Sequence, residues 1–159
     1  MTPNALTMPL TQQQNTIWKL LSQGLSVQTI ANKLQTTRQY VNQTRLTTEA
    51  KLTSTLLGVA ETNDLQVTKL DPRQGILLGY HPALNRKVIV TYSTNYGIKV
   101  WYWNDHPEEV KNKEFLKQTQ RYLLDIAQER GIEVGNSQTI HPAKLADVIF
   151  SKLLPEIKK

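Results

Sequence analysis

The 159-residue chain contains no cysteine, which excludes a disulfide framework and any thiolate metal site and fits a reducing, cytoplasmic setting. Glycine is scarce, at seven residues, and neither G-x-G-x-x-G nor a Walker sequence is present to cradle phosphate. No apolar run approaches the roughly 18–20 residues of a membrane span. The opening MTPNALTMPL has no basic n-region and no long apolar stretch, so no secretion signal is expected in it. The three histidines, His81, His106 and His141, each precede a proline in an expected turn or helix start. Such loop histidines are not expected to hold a metal. Glu108 and Glu109 read as the solvated first turn of a helix and not as a catalytic pair. With no nucleophile–base arrangement in view, the expectation is a binding protein, not an enzyme, and one without a cofactor.

Acidic side chains are also missing where they would matter most. The net charge is +6, and residues 1–50 carry Lys19, Lys33, Arg38 and Arg45 against Glu49 alone, a net of +3. Residues 106–159 carry nine basic and eight acidic groups, a net of +1. The excess lies in the first third, whose partner is expected to be a polyanion.

That third reads as three short helices. Thr11 and Gln14 have the spacing of a capping box. Ile17, Leu20, Leu21 and Leu25 follow at helical intervals with Trp18 beside them, and Gly24 stands where a left-handed residue ends a helix. Ser26 caps a second helix with Val27, Ile30, Ala31 and Leu34 on its apolar side. Gln35 closes it, and Thr36 with Gln39 is expected to form the capping box of a third. Val41 points back into the same small core, and the small Ala31 lets helices two and three cross closely, as a helix-turn-helix requires. The third helix then exposes Thr37, Arg38, Gln39, Asn42, Gln43 and Arg45, with no acid before Glu49. Arginine can pair with guanine, Asn and Gln with adenine, and Thr with phosphate or a thymine methyl. Gln28 and Lys33 join them as candidate DNA contacts, Lys33 to the backbone.

The stretch TQQQNTIWKLLSQGLSVQTIANKLQTTRQYVNQT resembles the helix-turn-helix of sigma-factor region 4 and of LuxR-type regulators. The likeness rests on Gly24-Leu25-Ser26, Ile30-Ala31, Leu34 and Thr36 to Val41. It looks closest to the archaeal Tfx-type regulators, in which the helix also runs on into a long polar one. The resemblance covers roughly residues 10–60 and implies a DNA-binding transcription factor whose readout helix corresponds to residues 37–45. Gln35 departs from it, standing where a turn glycine is common, so a slightly wider turn is expected.

Residues 40–62 contain no proline, and one long helix is expected there. Leu46, Ala50, Thr53, Leu57 and Ala60 follow heptad spacing, with Leu52, Leu56 and Val59 as an adjoining stripe. The seam Leu46, Ala50, Leu57 and Ala60 pairs two subunits or packs on the chain's own second half. Beyond Asn63-Asp64 the period changes to two. Strands are expected at 65–70, 76–80, 87–93 and 98–103, with Asp71 to Gly75, His81 to Asn85 and Thr94 to Gly97 as turns. Val88, Val90 and Tyr92 should match Ile98, Val100 and Tyr102, leaving Trp101 and Trp103 on the other face with Lys99. A helix capped by Asp105 and Glu108, with Val110, Leu116, Tyr122, Leu123, Ile126 and Ala127 buried, ends at Gly131. A last one carries Leu145, Val148, Ile149, Leu153 and Leu154. The fold expected is α+β: a helix-turn-helix head (1–45), a connecting helix (46–62) and an antiparallel sheet packed by helices (63–159) that dimerises or senses.

Two readings of function follow. The first is a duplex-DNA-binding transcriptional regulator, a homodimer whose second half touches a small-molecule effector or the transcription machinery. The second is an RNA- or protein-binding module using the aromatic sheet, with Trp101 and Trp103 as a stacking platform.

Overall fold

A computed structural model describes residues 10–103, 113–135 and 141–158. The chain is α+β: helices α1 (Gln12–Ser22), α2 (Val27–Lys33) and α3 (Arg38–Thr62) precede strands β1 (Gln66–Asp71), β2 (Ile76–His81), β3 (Arg86–Ser93) and β4 (Gly97–Tyr102). Helices α4 (Lys113–Glu129) and α5 (Pro142–Leu153) follow, with a closing 3-10 turn at Pro155–Lys158.

Local signals set the helix ends. Thr11 and Gln14 form the expected reciprocal capping box, and Ser26 caps α2 through the amide of Thr29. Helix α3 starts one residue later than expected, its cap being Thr37, whose hydroxyl accepts from the Tyr40 amide at 3.0 Å. The cause lies in the preceding turn. Gln35 itself takes the left-handed conformation, with φ 55°. The amides of Gln35 and Thr36 then return to the carbonyls of Asn32 and Ala31, the paired bonds of a Schellman closure. Thr36 is thereby spent on ending α2, and the turn closes as a glycine turn would instead of widening. Gly24 and Asp64 end α1 and α3 in the same way.

Helix α3 runs for 25 residues, about 37 Å. It is rich in threonine, and Thr47, Thr48, Thr55 and Thr62 each return their hydroxyl to the carbonyl four residues back. The head has its own core of Ile17, Leu21, Ile30, Ala31 and Val41. Further along α3, Leu56 and Ala60 pack on Leu77 and Val90 of the sheet.

The sheet is a four-stranded antiparallel meander in the order β1-β2-β3-β4. Val88 faces Tyr102, Val90 faces Val100 and Tyr92 faces Ile98, the register expected from the period-two pattern. The first two turns share one construction. Asp71 Oδ1 accepts from the Gln74 amide and His81 Nδ1 from the Leu84 amide, and each turn ends on a left-handed residue, Gly75 or Asn85. Alternation puts Leu77 and Val90 under α3, while Ile76, Leu78 and Ile89 join Leu123, Ile126, Leu145 and Ile149 on the opposite side. Both faces are thus covered, which is why Ile76 to Gly79 are all buried. Of the expected stripe on α4, Tyr122, Leu123, Ile126 and Ala127 are buried, and Gly131 closes the helix in a left-handed conformation. On α5, Val148 is exposed while Leu145, Ile149 and Leu154 are buried. The expected cap at Asp105 and Glu108, with His106 and Val110, lies outside the residues described.

The two halves of the chain do not meet through a linker. Helix α3 crosses residue 46 without a break, and α1 is fastened to the second half by a buried polar and aromatic joint. Trp18 stacks edge-on to Tyr92 at 5.2 Å and donates its indole N–H to the Pro72 carbonyl at 3.3 Å. Ser22 Oγ donates to the Glu129 carbonyl at 2.8 Å, and Tyr92 donates its hydroxyl to Asn15 Oδ1 at 2.5 Å. Arg130, 5% exposed, lies over the Trp18 ring at 5.3 Å. It donates to the carbonyls of Gln74, Tyr92, Gly75 and Ile126. Gly75 is needed there, because a Cβ would come within 2.7 Å of the Trp18 ring. Burial pushes the Arg130 guanidinium down to about 10, against the opposing pull of Glu129.

Candidate nucleic-acid interface

The start of α3 is a ridge held up by the head. Val41 is buried in the head core, which fixes the helix rotation and turns Arg38, Gln39, Asn42 and Gln43 outward. All four are exposed, as are Thr37, Gln28 and Lys33, and Arg45 is half-buried. There is no acidic residue in the first turn of α3. At 100° per residue, Arg38 and Asn42 form one edge of the ridge, and Gln39 and Gln43 form the next.

The candidate residues are not equally free. Thr37 accepts from the Tyr40 amide, which leaves its hydroxyl proton available. Gln28 Nε2 donates to Asn32 Oδ1 at 2.9 Å along α2. Arg45 lies along the helix surface: its Nε and Nη2 donate to Asn42 Oδ1 at 3.1 and 3.0 Å, and its Nη1 donates to Glu49 Oε2 at 3.2 Å.

Arg73 was not among the residues singled out in the sequence. It projects from the β1–β2 turn, is exposed, and borders a shallow depression with Arg45, Thr48 and Glu49 above Trp18 and Leu21. The turn carrying it is tied down by Trp18, Asp71 and Arg130. An arginine at the tip of a D-P-R-Q-G turn was the available signal, but a fold was needed to bring that turn beside α3.

The expected subunit seam divides. Leu46 is 52% exposed and Leu57 40%, and Ala50 is exposed. Ala60, by contrast, is buried against Leu77 and Val90 and cannot belong to an outer seam. Three residues on from Leu57, it is turned about 60° round the helix, on the side where the sheet packs. Of the adjoining stripe, Leu52 and Leu56 are buried and Val59 is half-buried, so the chain's own sheet claims that stripe.

The two tryptophans of the sheet take part in packing. Trp101 faces Phe150 with ring centroids 6.2 Å apart, and Trp101 and Trp103 are half-buried against the α4–α5 core. The Tyr92 and Tyr122 phenols are both pushed up to about 12, in each case mainly by burial. Among the described histidines, His81 and His141 turn Nδ1 to a backbone amide. No group of three His, Cys, Asp or Glu among the described residues is arranged to hold a metal, and no described helix is long and apolar enough to cross a membrane.

In comparisons with known proteins, no family model, curated protein or solved structure matches the chain.

Proposed function

We propose that this protein is a sequence-specific duplex-DNA-binding transcriptional regulator that works as a homodimer in the cytoplasm, by binding and not by catalysis. One observation carries the reading. A proline-free helix, rotated by a small buried core, presents Arg38, Gln39, Asn42 and Gln43 together on an exposed ridge with no acid in its first turn. These are the side chains that read base edges in a major groove, which is wide enough to admit a helix. Arg38 and Arg45 are seven residues apart, so about 10 Å along the axis. With Arg38 on a base, Arg45 and its neighbour Arg73 would stand at the groove rim, where phosphates lie. The aromatic sheet supports the rival reading less well, since Trp101 and Trp103 are half-buried against the α4–α5 core and offer single-stranded bases only part of a platform.

Pairing has a geometric rationale. Gln39, Leu46 and Thr53 repeat at seven residues, as do Gln43, Ala50 and Leu57, so the exposed apolar stripe continues the polar ridge along one side of α3. Two chains joined through Leu46, Ala50 and Leu57 would hold their ridges facing each other across a duplex, as forked helices do. The second half would add a surface for an effector or the transcription machinery.

The test is a binding selection from random duplexes with the full-length protein. A palindromic enriched sequence is expected, with affinity falling by about 0.9 log unit per log unit of salt for each phosphate contacted. Enrichment of no sequence, or retention of single strands in preference to duplex, would remove this reading.

A further inference from the structure

Base preference within the ridge follows from how Asn42 is held. A side-chain amide reads adenine by using both ends: its oxygen accepts from N6 and its nitrogen donates to N7. In this protein the Asn42 oxygen is already occupied. Its two lone pairs receive Arg45 Nε at 3.1 Å and Nη2 at 3.0 Å, and Arg45 is held in turn by Glu49 at 3.2 Å. A carbonyl oxygen has two acceptor sites, and both are used. What Asn42 turns to a partner is its NH2 group, a donor. Arg38, next to it on the same edge, has donors only. The Arg38–Asn42 edge is therefore all donor. Guanine offers two acceptors, O6 and N7, in the major groove, while adenine sets its N6 donor against such an edge. On the neighbouring edge, Gln39 and Gln43 are exposed, and among the described residues neither side-chain amide has a hydrogen-bond partner, so both ends can read adenine.

We propose that Arg45, anchored by Glu49, is a specificity-positioning residue that fixes Asn42 as a donor, so that the Arg38–Asn42 edge of α3 selects guanine and adenine is read from the Gln39–Gln43 edge. The proposal rests on the DNA-binding reading above and sharpens it to a class of base. Opening the Arg45–Asn42 pair would restore the amide oxygen and with it the ability to read adenine.

The experiment is the same selection run on the full-length protein and on the variants Asn42→Ala, Arg45→Ala and Glu49→Gln. Asn42→Ala identifies the base position that Asn42 governs, by loss of preference there. At that position the wild-type protein is expected to favour guanine over adenine by roughly 10- to 100-fold, the discrimination of a good base pair of contacts. Arg45→Ala should shift that one position towards adenine by about tenfold while other positions keep their order, and Glu49→Gln should shift it part of the way. Arg45 and Asn42 lie on the helix surface, so the variants retain the fold, and base preference is read separately from total affinity. Adenine at the Asn42 position in the wild-type protein would overturn the proposal. So would an Arg45→Ala variant that loses affinity equally on all sequences with its base order intact, since Arg45 would then act only on phosphate. A wild-type protein that selects a duplex sequence but fails these tests loses this inference alone, whereas one that binds no duplex loses the DNA-binding reading as well.

Discussion

Replacing Arg130 with methionine removes a buried cation while keeping much of the side chain's apolar length. Four carbonyls, those of Gln74 at 2.7 Å, Tyr92 at 2.8 Å, and Gly75 and Ile126 at 3.3 Å, lose a charged donor. Hydrogen bonds to charged groups contribute about 1.5–3 kcal/mol each, but their simple sum overshoots, because burying the guanidinium carries a desolvation cost of several kcal/mol. The decisive loss is of another kind. Glu129, 1% exposed, has its carboxylate 3.7 Å from the guanidinium, and the variant leaves that charge buried with no counter-charge. Removing one member of a buried pair costs about 3–5 kcal/mol, about a fifth or more of the roughly 5–15 kcal/mol that holds a domain together. Urea unfolding followed by circular dichroism and by tryptophan fluorescence measures it, Trp18 reporting on the joint beneath Arg130. Arg130→Lys should recover little, because a compact ammonium cannot match the planar fork spread over four carbonyls. Trp18→Phe, which keeps a ring but drops the bond to the Pro72 carbonyl, should cost about 1–2 kcal/mol and be less than additive with Arg130→Met. A loss below about 1 kcal/mol for Arg130→Met, or full additivity of the two changes, would refute the view that this joint docks the head.

Gln35→Gly should stabilise the protein, because a left-handed L-residue costs about 1–2 kcal/mol and the extra unfolded-state freedom of glycine returns only part of it. A net gain of about 0.5–1 kcal/mol corresponds to a melting point higher by about 1–4 °C, and calorimetry reads it. Leu57→Asp should leave the isolated chain's stability within about 0.5 kcal/mol, since Leu57 is 40% exposed, yet convert a sedimenting dimer to monomer; an unchanged dimer would move the subunit contact elsewhere. On alkaline titration, Tyr92 and Tyr122, both held up to about 12, should stay protonated after unfolded tyrosine has ionised near 10. Folded protein then binds two phenolic protons that the unfolded chain has released, so stability falls as pH rises from about 10 to 12. Arg130, lowered to about 10, has the opposite sign, but one guanidinium does not outweigh two phenols. Ultraviolet phenolate absorbance in buffer and in urea checks the count, and Tyr92→Phe should reduce the difference by one.

Features with a short period were legible in the sequence. Alternation from Val88 to Tyr92 and from Ile98 to Tyr102 dictated the β3–β4 register, because a slip of one residue would turn every apolar side chain to the wrong face. Caps and stops were equally plain where one residue type does one job, as at Thr11, Ser26, Gly24 and Gly131. Legibility failed where two neighbours could each serve. Thr36 and Thr37 are both competent caps, and the choice fell to the Schellman closure made by Gln35, a residue whose side chain gives no hint of a left-handed backbone. It failed again on α3, where heptad spacing put Ala60 in line with Leu57 but could not say which side the sheet would claim. Contacts between distant residues were out of reach altogether. Nothing near Trp18 in sequence announces Arg130, more than a hundred positions on. The exposure of Arg38, Gln39, Asn42 and Gln43 was legible, but the half-burial of Arg45 and the hydrogen-bonding states of the set were not, because only the fold showed Arg45 lying back over Asn42 and Arg73 arriving beside it.

If the protein binds DNA as proposed, the course of α3 limits how a signal from the second half could reach the duplex. Its buried residues run from Val41 in the head to Ala60 against the sheet, and α1 is bound to the β1–β2 turn by Trp18 and Arg130. Among the described residues of one chain, no joint between ridge and sheet could swing without breaking a buried cluster. A buried charge network and a continuous helix both resist small displacements, since packed cores shift between discrete arrangements and do not bend smoothly. An effector bound to the second half would therefore leave the ridge rigid with respect to its own sheet. If two chains pair through Leu46, Ala50 and Leu57, the remaining freedom is the angle between their α3 helices, and that angle sets the distance between two ridges. Regulation in such a protein would act on the spacing of half-sites and not on the chemistry of either one. Duplexes that keep both half-sites but vary the spacer by single base pairs would show it as a shift in the preferred spacer with no change in the preferred bases.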